Sequence, residues 1–311
     1  MKTVFGKDAE KEALTEPHVS TVGMFDGVHL GHQKTISTAV DRARALGCGA
    51  AVVTFDRHPA AVLSGAAPPL ITSLRHRLTL FEALRPAPAL CLVLHFYRAL
   101  AATSARDFLL NILVGMLGAK AVVLGEDSTF GAGSEGNIDF VRRAGAAHGL
   151  EAHCVPLVHL GDRAVSSTAV RQAIGSGDLA SAEAMLGRRV SLLGTVIHGD
   201  QLGAQIGYPT ANLDLHHELR PPRGVYAGAV TVGDTEYDAV MNIGVRPTVG
   251  DALEERVEVH LIGFDGDLRG RDLEVRLLAK LRDEQSFPSI QALSAQIQRD
   301  CEAARRVRRK G

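Results

Sequence analysis

The first half of the chain alternates short apolar runs with longer segments of helical spacing, and this alternation restricts the fold more than any other feature. The apolar, β-branched runs are residues 19–22, 50–55, 90–96, 121–124 and 152–158. The helical segments between them are residues 35–46, 74–84, 105–117 and 138–148. Continuous apolar strands joined through helices are typical of a parallel sheet that is covered on both faces. We therefore predict an α/β domain built on a parallel sheet.

The character of the sequence changes after Gly187. A helical pair, residues 167–185, precedes this point, and short alternating strands broken by glycine and proline follow it. The predicted strands are residues 190–196, 225–232, 236–242, 257–264 and 273–281. They indicate a small antiparallel sheet or barrel, and Ser289 is placed to cap a C-terminal helix. Because 311 residues are too many for one typical core, we predict two domains, residues 1–187 and 188–311.

The bulk composition narrows the classes of function. Of the residues, 46% are hydrophobic and 22% charged, and the formal net charge of −1 gives no reason to expect nucleic acid or an acidic membrane as a partner. The cysteines are scattered without a Cys-x-x-Cys pair, which is typical of free thiols in a reducing compartment. The N-terminus lacks a signal peptide's apolar core, and no apolar run is long enough to span a bilayer. We expect a cytoplasmic protein that acts on small molecules; its oligomeric state stays open.

Residues 23–32, Gly-Met-Phe-Asp-Gly-Val-His-Leu-Gly-His, carry the strongest chemical pattern. They follow the first predicted strand, and their glycines allow a close approach to a ligand. His29 and His32 are spaced to share one side of a first helical turn, where unpaired backbone N–H groups and the helix dipole favour a phosphate. Imidazoles there can donate hydrogen bonds to charge building on a phosphoryl group. Ordinary helix-start residues, or half of a zinc site, are the competing interpretations.

Further polar clusters also follow predicted strands. Residues 56–59, which include His58 and Pro59, follow the second strand, and Asp127 follows the fourth. Because ligands of open parallel sheets bind at the carboxyl ends of the strands, we expect these clusters to converge with residues 23–32 on one crevice.

Another cluster opens the helical pair. Its residues are Ser166, Ser167, Thr168 and Arg171. Hydroxyl residues before a helix are usual N-caps, so a capped surface helix with a solvated arginine is one interpretation. The second is that the hydroxyls and the guanidinium grip phosphates.

These two strings resemble the signatures of the nucleotidylyltransferase superfamily, in the form found in the bifunctional riboflavin kinase/FAD synthetases of bacteria. The resemblance implies an in-line attack by the phosphate of FMN on the α-phosphorus of ATP, which forms FAD and pyrophosphate. It implies that His29 and His32 stabilise the developing charge, while Arg171 and Mg²⁺ help to neutralise the departing phosphates. The nucleotide-binding positions that it implies are Gly23, Phe25, Asp26, Gly31, Asp127, Ser166, Ser167 and Thr168.

The second half contains Gly207-Tyr208-Pro209-Thr210-Ala211-Asn212. Thr210 and Asn212 are two apart, so on an extended chain both side chains point to one side, and their oxygens are hard ligands suited to Mg²⁺. A Pro-Thr turn that enters an edge strand would explain the same residues without a ligand. Downstream, Glu258 alternates with apolar neighbours in residues 257–261, as a solvated strand residue would.

The first of these strings resembles the defining motif of riboflavin kinases. The resemblance implies that Thr210 and Asn212 hold Mg²⁺ with ATP and that Glu258 is the general base for the ribityl hydroxyl of riboflavin. It also implies nucleotide contacts in the glycine-rich loop at Gly199, Gly207 and Pro209. The chain departs from the common family pattern at Ser128, Thr129, Ala204 and Arg269, which leaves the rates and the balance of the two activities open.

Residues 131–136 fit Gly-x-Gly-x-x-Gly, with Glu151 at a plausible distance for a ribose-binding acid. An NAD-binding fingerprint needs its glycines directly at the end of a strand, and residues 126–130 intervene here, so we predict a loop instead. The hypothesis that the protein is an NAD-dependent oxidoreductase rests on these glycines alone. Two further hypotheses remain open. One is a paralogue with a single active half, or one that acts on a modified flavin or another phosphorylated cofactor; the other is a non-catalytic flavin-binding regulator.

Overall fold

The computed structural model describes residues 1–9, 14, 16–198, 203, 206–247 and 253–309. The chain forms two compact units. The first consists of Met1–Leu70 and Leu74–Ser167, and the second of Ile71–Ser73 and Thr168–Gly311. Each unit contains its own sheet.

The main sheet of the first unit has six strands. They are β1 (Lys2–Phe5), β2 (His18–Val22), β3 (Gly49–Phe55), β4 (Leu90–Leu94), β5 (Ala119–Gly125) and β6 (Glu151–Val155). All pair in parallel, in the order β1-β4-β3-β2-β5-β6. The five predicted strands are confirmed, and the edge strand β1 was missed because Val4 is its only buried residue.

Consecutive residues of β3 show that both faces of this sheet are covered. Val52 packs in a cluster with Ile36 and Phe81. Val53 belongs to a different cluster that contains Leu109. Since successive side chains of a strand point to opposite faces, helical residues pack on each side. The predicted parallel sheet with two covered faces is confirmed.

Helices connect these strands. They are α1 (Gly6–Ala9), α2 (Leu30–Ala45), α3 (Pro59–Leu63), α4 (Leu74–Ala83), α5 (Arg98–Ala101), α6 (Ala105–Asp107) and α7 (Ile138–Gly145). A wider π-type winding continues α6 over Phe108–Met116, single tight turns lie at Ala132–Ser134 and Ala146–His148, and β7 (His159–Leu160) pairs with β8 (Arg163–Ala164). The four predicted helical segments are confirmed, although α2 begins earlier than predicted because His29 caps it.

The Gly-x-Gly-x-x-Gly segment forms a loop, as predicted. Only a single turn is present within it, and α7 begins after the loop with Asn137 as its N-cap. Gly131 has φ 75°, and a Cβ at this position would lie 2.6 Å from backbone atoms of Ala105. Packing and backbone conformation therefore explain this glycine without a dinucleotide.

Replacing Gly131 with alanine should destabilise the protein strongly. Gly149 is a matched control, because it also has a positive φ, 65°, but a Cβ there would meet nothing within 4 Å. Gly149→Ala should cost about 1 kcal/mol from the left-handed backbone alone. Gly131→Ala should cost about 1–3 kcal/mol more, because the methyl group overpacks against backbone. Urea unfolding of both variants tests this difference, and equal losses would contradict it.

Most of the second unit is formed by two helices, a barrel and a terminal helix. The helices α8 (Ser167–Ser176) and α9 (Leu179–Leu186) come first, although Ser167 itself belongs to the first unit. The barrel strands are β9 (Ser191–Ile197), β10 (Ala211–Asp214), β11 (Gly224–Val232), β12 (Thr235–Pro247), β13 (Leu253–Leu261) and β14 (Asp272–Arg282), followed by α10 (Ile290–Arg308). The predicted helical pair and the five predicted strands are confirmed.

The barrel closes in the order β10-β13-β12-β11-β14-β9, and all of these pairs are antiparallel. Helix α10 packs against it through a cluster in which Cys301 and Ala304 meet Val225 and Val240. Ser289 is the N-cap of α10, and its Oγ accepts from the backbone N–H of Ala292 at 3.2 Å. The small antiparallel barrel and the capped terminal helix are therefore confirmed.

Candidate active sites

The loop between β2 and α2, residues 23–29, is named the signature loop below. It contains three residues with positive φ: Phe25 at 51°, Gly27 at 82° and Val28 at 42°. This conformation is strained for phenylalanine and valine, yet both side chains are buried. Strained backbone that the fold holds in place is a feature of functional sites.

The two histidines lie together at the start of α2. His29 is the N-cap residue, and its Nδ1 accepts from the backbone N–H of His32 at 3.4 Å. The two rings stack with centroids 3.5 Å apart and planes inclined by 20°. The Phe25 and His32 rings are nearly perpendicular, with their centroids 5.2 Å apart. The predicted pairing is observed, with one correction: His29 caps the first turn and is not part of it.

Two glycines provide room for these rings. A Cβ at Gly31 would lie 3.1 Å from the His29 ring, and a Cβ at Gly23 would lie 3.1 Å from the Phe25 ring. Side chains at either position would therefore push an aromatic ring out of place. These glycines serve close packing inside the site, in addition to any approach of a ligand.

The remaining polar clusters of the first half lie where the sheet topology predicts. The strands β3 and β5 flank β2, so Asp56, Asp127 and the signature loop follow adjacent parallel strands at the same edge. Asp127 is exposed in a turn. His58 caps α3 through its Nδ1, which accepts from the N–H of Ala60 at 3.2 Å. His58 therefore has a local role as the cap of α3.

Ser167 contacts the signature loop, and both belong to the first unit. Its Oγ donates to the carbonyl oxygen of Asp26 in that loop at 2.9 Å. Ser166 is half-buried just before α8, and Thr168 and Arg171 lie further along that helix, within the second unit. The helix that follows the hydroxyl residues is thus where the sequence predicted it.

In the barrel, three polar residues form a row across neighbouring strands. Asn212 of β10 is directly opposite Glu258 of β13, and Glu258 is directly opposite Asn242 of β12. Since opposite residues on paired strands share a face, the three side chains lie side by side. With Thr210, which precedes β10, they line a cavity of about 540 Å³. A volume of this size suits a small-molecule ligand.

The segment that leads into β10 is held by His260. Its Nδ1 donates to the carbonyl oxygen of Pro209 at 2.8 Å, and its ring meets Tyr208 edge-on at 5.5 Å. Gly207 has φ 84°, a backbone conformation that favours glycine. His260 therefore fixes the backbone just before Thr210, a role that the sequence did not reveal. The predicted position Gly199 and the departure at Ala204 lie outside the described residues.

Additional lining residues make part of this cavity apolar. Leu293 and Phe287 contribute apolar surface. Arg282 donates to the buried Asp300 at 2.9 Å, and its guanidinium lies 5.7 Å from the centre of the Phe287 ring. The combination suits a ligand with both an apolar ring and a polar chain. Sequence spacing gave no signal for the Arg282–Asp300 pair, which forms only when α10 packs on the barrel.

The structure also bears on three features considered from the sequence: a zinc site, disulfide bonds and a membrane-spanning helix. In the part of the chain that the structure describes, no group of three or more His, Cys, Asp or Glu side chains could hold a metal ion. All four cysteines are free. None of the described helices is both long and apolar enough to cross a membrane.

Comparisons with known proteins match both halves of the chain. A family model for FAD synthetase matches residues 11–169, and one for riboflavin kinase matches residues 186–308. The chain is 38% identical to the bifunctional riboflavin kinase/FMN adenylyltransferase of Escherichia coli (strain K12), over 96% of both chains. It is 34% identical to the protein of the same name from Bacillus subtilis (strain 168), over 94% of this chain and 96% of that one.

The fold is also found in a solved structure. A crystal structure described as a macrolide-efflux protein from Streptococcus pneumoniae superposes with a TM-score of 0.83 and 31% identity, and the match covers 98% of this chain and 99% of that one. Two family models thus fall on opposite halves of the chain, and relatives match it over nearly their whole length. The chain therefore belongs to the family of bifunctional riboflavin kinase/FMN adenylyltransferases.

Proposed function

We propose that the chain catalyses two successive reactions with ATP. The C-terminal domain, residues 188–311, phosphorylates riboflavin to FMN, and the N-terminal domain, residues 1–187, adenylylates FMN to FAD and releases pyrophosphate. The proposal rests mainly on two separate groups of polar side chains in one chain. These are the stacked His29–His32 pair and the Asn212–Glu258–Asn242 row. Both reactions take place in the cytoplasm, a reducing compartment that suits four free cysteines.

In the kinase reaction, Glu258 is the general base. Its half-buried carboxylate lies between two asparagine side chains and lines the cavity. It accepts the proton of the terminal ribityl hydroxyl while that oxygen forms a bond to the γ-phosphorus of ATP. The bond between the γ-phosphorus and the bridging oxygen breaks, and ADP leaves. The isoalloxazine ring occupies the apolar part of the cavity beside Phe287 and Leu293.

Thr210 and Asn212 are the residues that would hold Mg²⁺. Their hydroxyl and amide oxygens are hard donors, both side chains line the same cavity, and Asn212 is largely buried in a fixed strand. When bound, Mg²⁺ supplies positive charge beside the phosphates of ATP. From the family resemblance we assign Gly199, Gly207 and Pro209 to contacts with the same phosphates.

In the adenylylation reaction, the histidine pair donates hydrogen bonds. The Nδ1 of His29 accepts a hydrogen bond from the backbone, so a neutral ring carries its proton on Nε2. This N–H group can donate a hydrogen bond to a phosphate oxygen. An oxygen of the FMN phosphate attacks the α-phosphorus of ATP, and the bond to the departing pyrophosphate breaks. His29 and His32 stabilise the charge that develops, aided by the N-terminus of α2.

The remaining predicted residues divide into two groups. The only hydroxyl proton of Ser167 is donated to the carbonyl oxygen of Asp26. We therefore propose that Ser167 stabilises the signature loop. From the family resemblance we assign Ser166, Thr168 and Arg171 to the phosphates of ATP, because the fixed charge of arginine is suited to the departing pyrophosphate. Gly23, Phe25, Asp26, Gly31 and Asp127 complete the nucleotide site.

The direct test is to incubate the protein with riboflavin and MgATP and to separate riboflavin, FMN and FAD by chromatography. We expect FMN to appear first and FAD to follow. FMN without FAD would show that the first half is inactive. Flavin binding with neither product would favour the regulator, and binding of NADH in a fluorescence titration would favour the oxidoreductase.

Removal of divalent cations should stop both reactions. With EDTA in excess over Mg²⁺, we expect both rates to fall by at least about 100-fold, because the charge stabilisation lost with the metal amounts to several kcal/mol. Added MgCl₂ should restore both rates. An FMN-forming rate that survives EDTA would contradict the proposed roles of Thr210 and Asn212.

A further inference from the structure

A fully buried arginine lies beside the signature loop of the first unit. Arg77 of α4 has a relative exposure of 0% and is the largest fully buried side chain in the described part of the chain. A guanidinium in such a place is costly unless it is hydrogen-bonded. Burial lowers the pKa of Arg77, and the nearby carboxylate of Asp26 opposes this shift. Packing alone does not explain a charged residue in this position.

The donors of Arg77 reach the carboxyl end of β3 and the signature loop that follows β2. Its Nη1 donates to the carbonyl oxygen of Met24 and, at 3.2 Å, to Oγ1 of Thr54. Its Nη2 donates to the carbonyl oxygen of Phe55 at 2.9 Å. The Thr54 hydroxyl in turn donates to the carbonyl oxygen of Met24 at 3.2 Å. Arg77 therefore ties the signature loop to the end of β3.

The peptide group that Arg77 holds adjoins the strained part of the loop. Met24 directly precedes Phe25, whose φ of 51° is costly for a residue with a Cβ. The centroid of the Phe25 ring lies 5.2 Å from that of the His32 ring and 5.9 Å from that of the Phe81 ring. Phe81 lies one helical turn beyond Arg77 on α4, so one face of this helix holds both the backbone and the ring of the loop.

A continuous set of contacts thus links Arg77 to the histidine pair. The guanidinium fixes the Met24 carbonyl, this fixes the backbone entering Phe25, and the Phe25 ring packs against His32. His32 in turn stacks on His29. We propose that Arg77 is a positioning residue for FMN adenylylation, which keeps the signature loop in its left-handed conformation and so holds the two imidazoles in place for the phosphates. This inference rests on the proposed adenylyltransferase function of the first unit.

The test compares Arg77→Met, which keeps most of the side-chain volume and removes every donor, with Arg77→Lys, which keeps one donor group. We expect Arg77→Met to lower kcat for FAD formation from FMN by about 10- to 100-fold, as misplacement of a catalytic group does, with a smaller change in KM for ATP. Arg77→Lys should fall between this variant and the wild type. FMN formation from riboflavin, measured on the same preparations, should remain unchanged.

A second core variant separates positioning from loss of stability. Leu113 is also fully buried, but it packs in the cluster on the opposite face of the sheet. Leu113→Ala should destabilise the first unit while leaving kcat for FAD formation near its wild-type value. NMR spectra of ¹⁵N-labelled histidine should show shifted His29 and His32 ring signals in Arg77→Met and unshifted ones in Leu113→Ala.

Several outcomes would overturn the inference. One is a wild-type kcat in folded Arg77→Met; another is an equal loss of kcat in Arg77→Met and Leu113→Ala. If Arg77→Met does not fold, Arg77→Lys decides, and a folded lysine variant with full kcat overturns the proposal. A wild-type protein that makes no FAD from FMN would instead refute the proposed function, so the two failures are distinguishable.

Discussion

Replacing His29 with alanine should abolish FAD formation from FMN while FMN formation from riboflavin continues at the wild-type rate. The imidazole that donates to the phosphates is lost, and removal of one such donor typically lowers kcat by about 100- to 1,000-fold. The kinase rate should not change, because the Asn212–Glu258–Asn242 row lies in a barrel that has its own core. Both rates are measured by chromatography of the three flavins.

A matched variant is needed because His29 also caps α2. Loss of an N-cap typically costs about 1 kcal/mol. Asparagine is a good N-cap residue, so His29→Asn should recover the stability of the helix without restoring FAD formation. Recovery of FAD formation in His29→Asn would show that the ring acts as a cap and not as a donor to the transition state.

Replacing Asn212 with alanine should have the opposite effect. FMN formation should fall by at least about 100-fold, because the variant lacks an oxygen ligand for the metal that accompanies ATP. Adenylylation of added FMN should continue at the wild-type rate. Loss of both activities in a folded Asn212→Ala protein would contradict two independent sites.

Glu258→Gln provides the comparison within the same row. Glutamine keeps the shape of the side chain but cannot accept a proton, and loss of a general base typically lowers kcat by about 100- to 10,000-fold. The affinity for MgATP should be retained in Glu258→Gln and weakened in Asn212→Ala. Equal weakening in both variants would count against separate roles for a base and a metal ligand.

The sequence predicted those parts of the sites that lie in short continuous strings. His29 and His32 are three positions apart at a helix start, and Thr210 and Asn212 are two apart at the start of a strand, so local geometry alone brings each pair together. The position of Glu258 in the site could not be predicted from local spacing. Its place beside Asn212 depends on the register of β13 in a closed barrel, which no local pattern specifies.

The burial of Arg77 and its contact with the signature loop could not be predicted from the sequence. Arg77 lies 53 positions from Met24 along the chain, in a helix whose remaining residues predict nothing unusual. An arginine in an amphipathic helix normally points to solvent, and only the packing of α4 against the sheet reveals that this one is buried. The edge strand β1 was missed for a related reason, since a strand with one buried residue has no clear apolar pattern.

The central claim, that one chain contains two independent active sites, is tested most directly by mixing the His29→Ala and Asn212→Ala proteins with riboflavin and MgATP. Each variant alone should fail to convert riboflavin to FAD. The mixture should make FAD, because FMN released by the first variant is the substrate of the second. A mixture of folded variants that forms no FAD would contradict the claim.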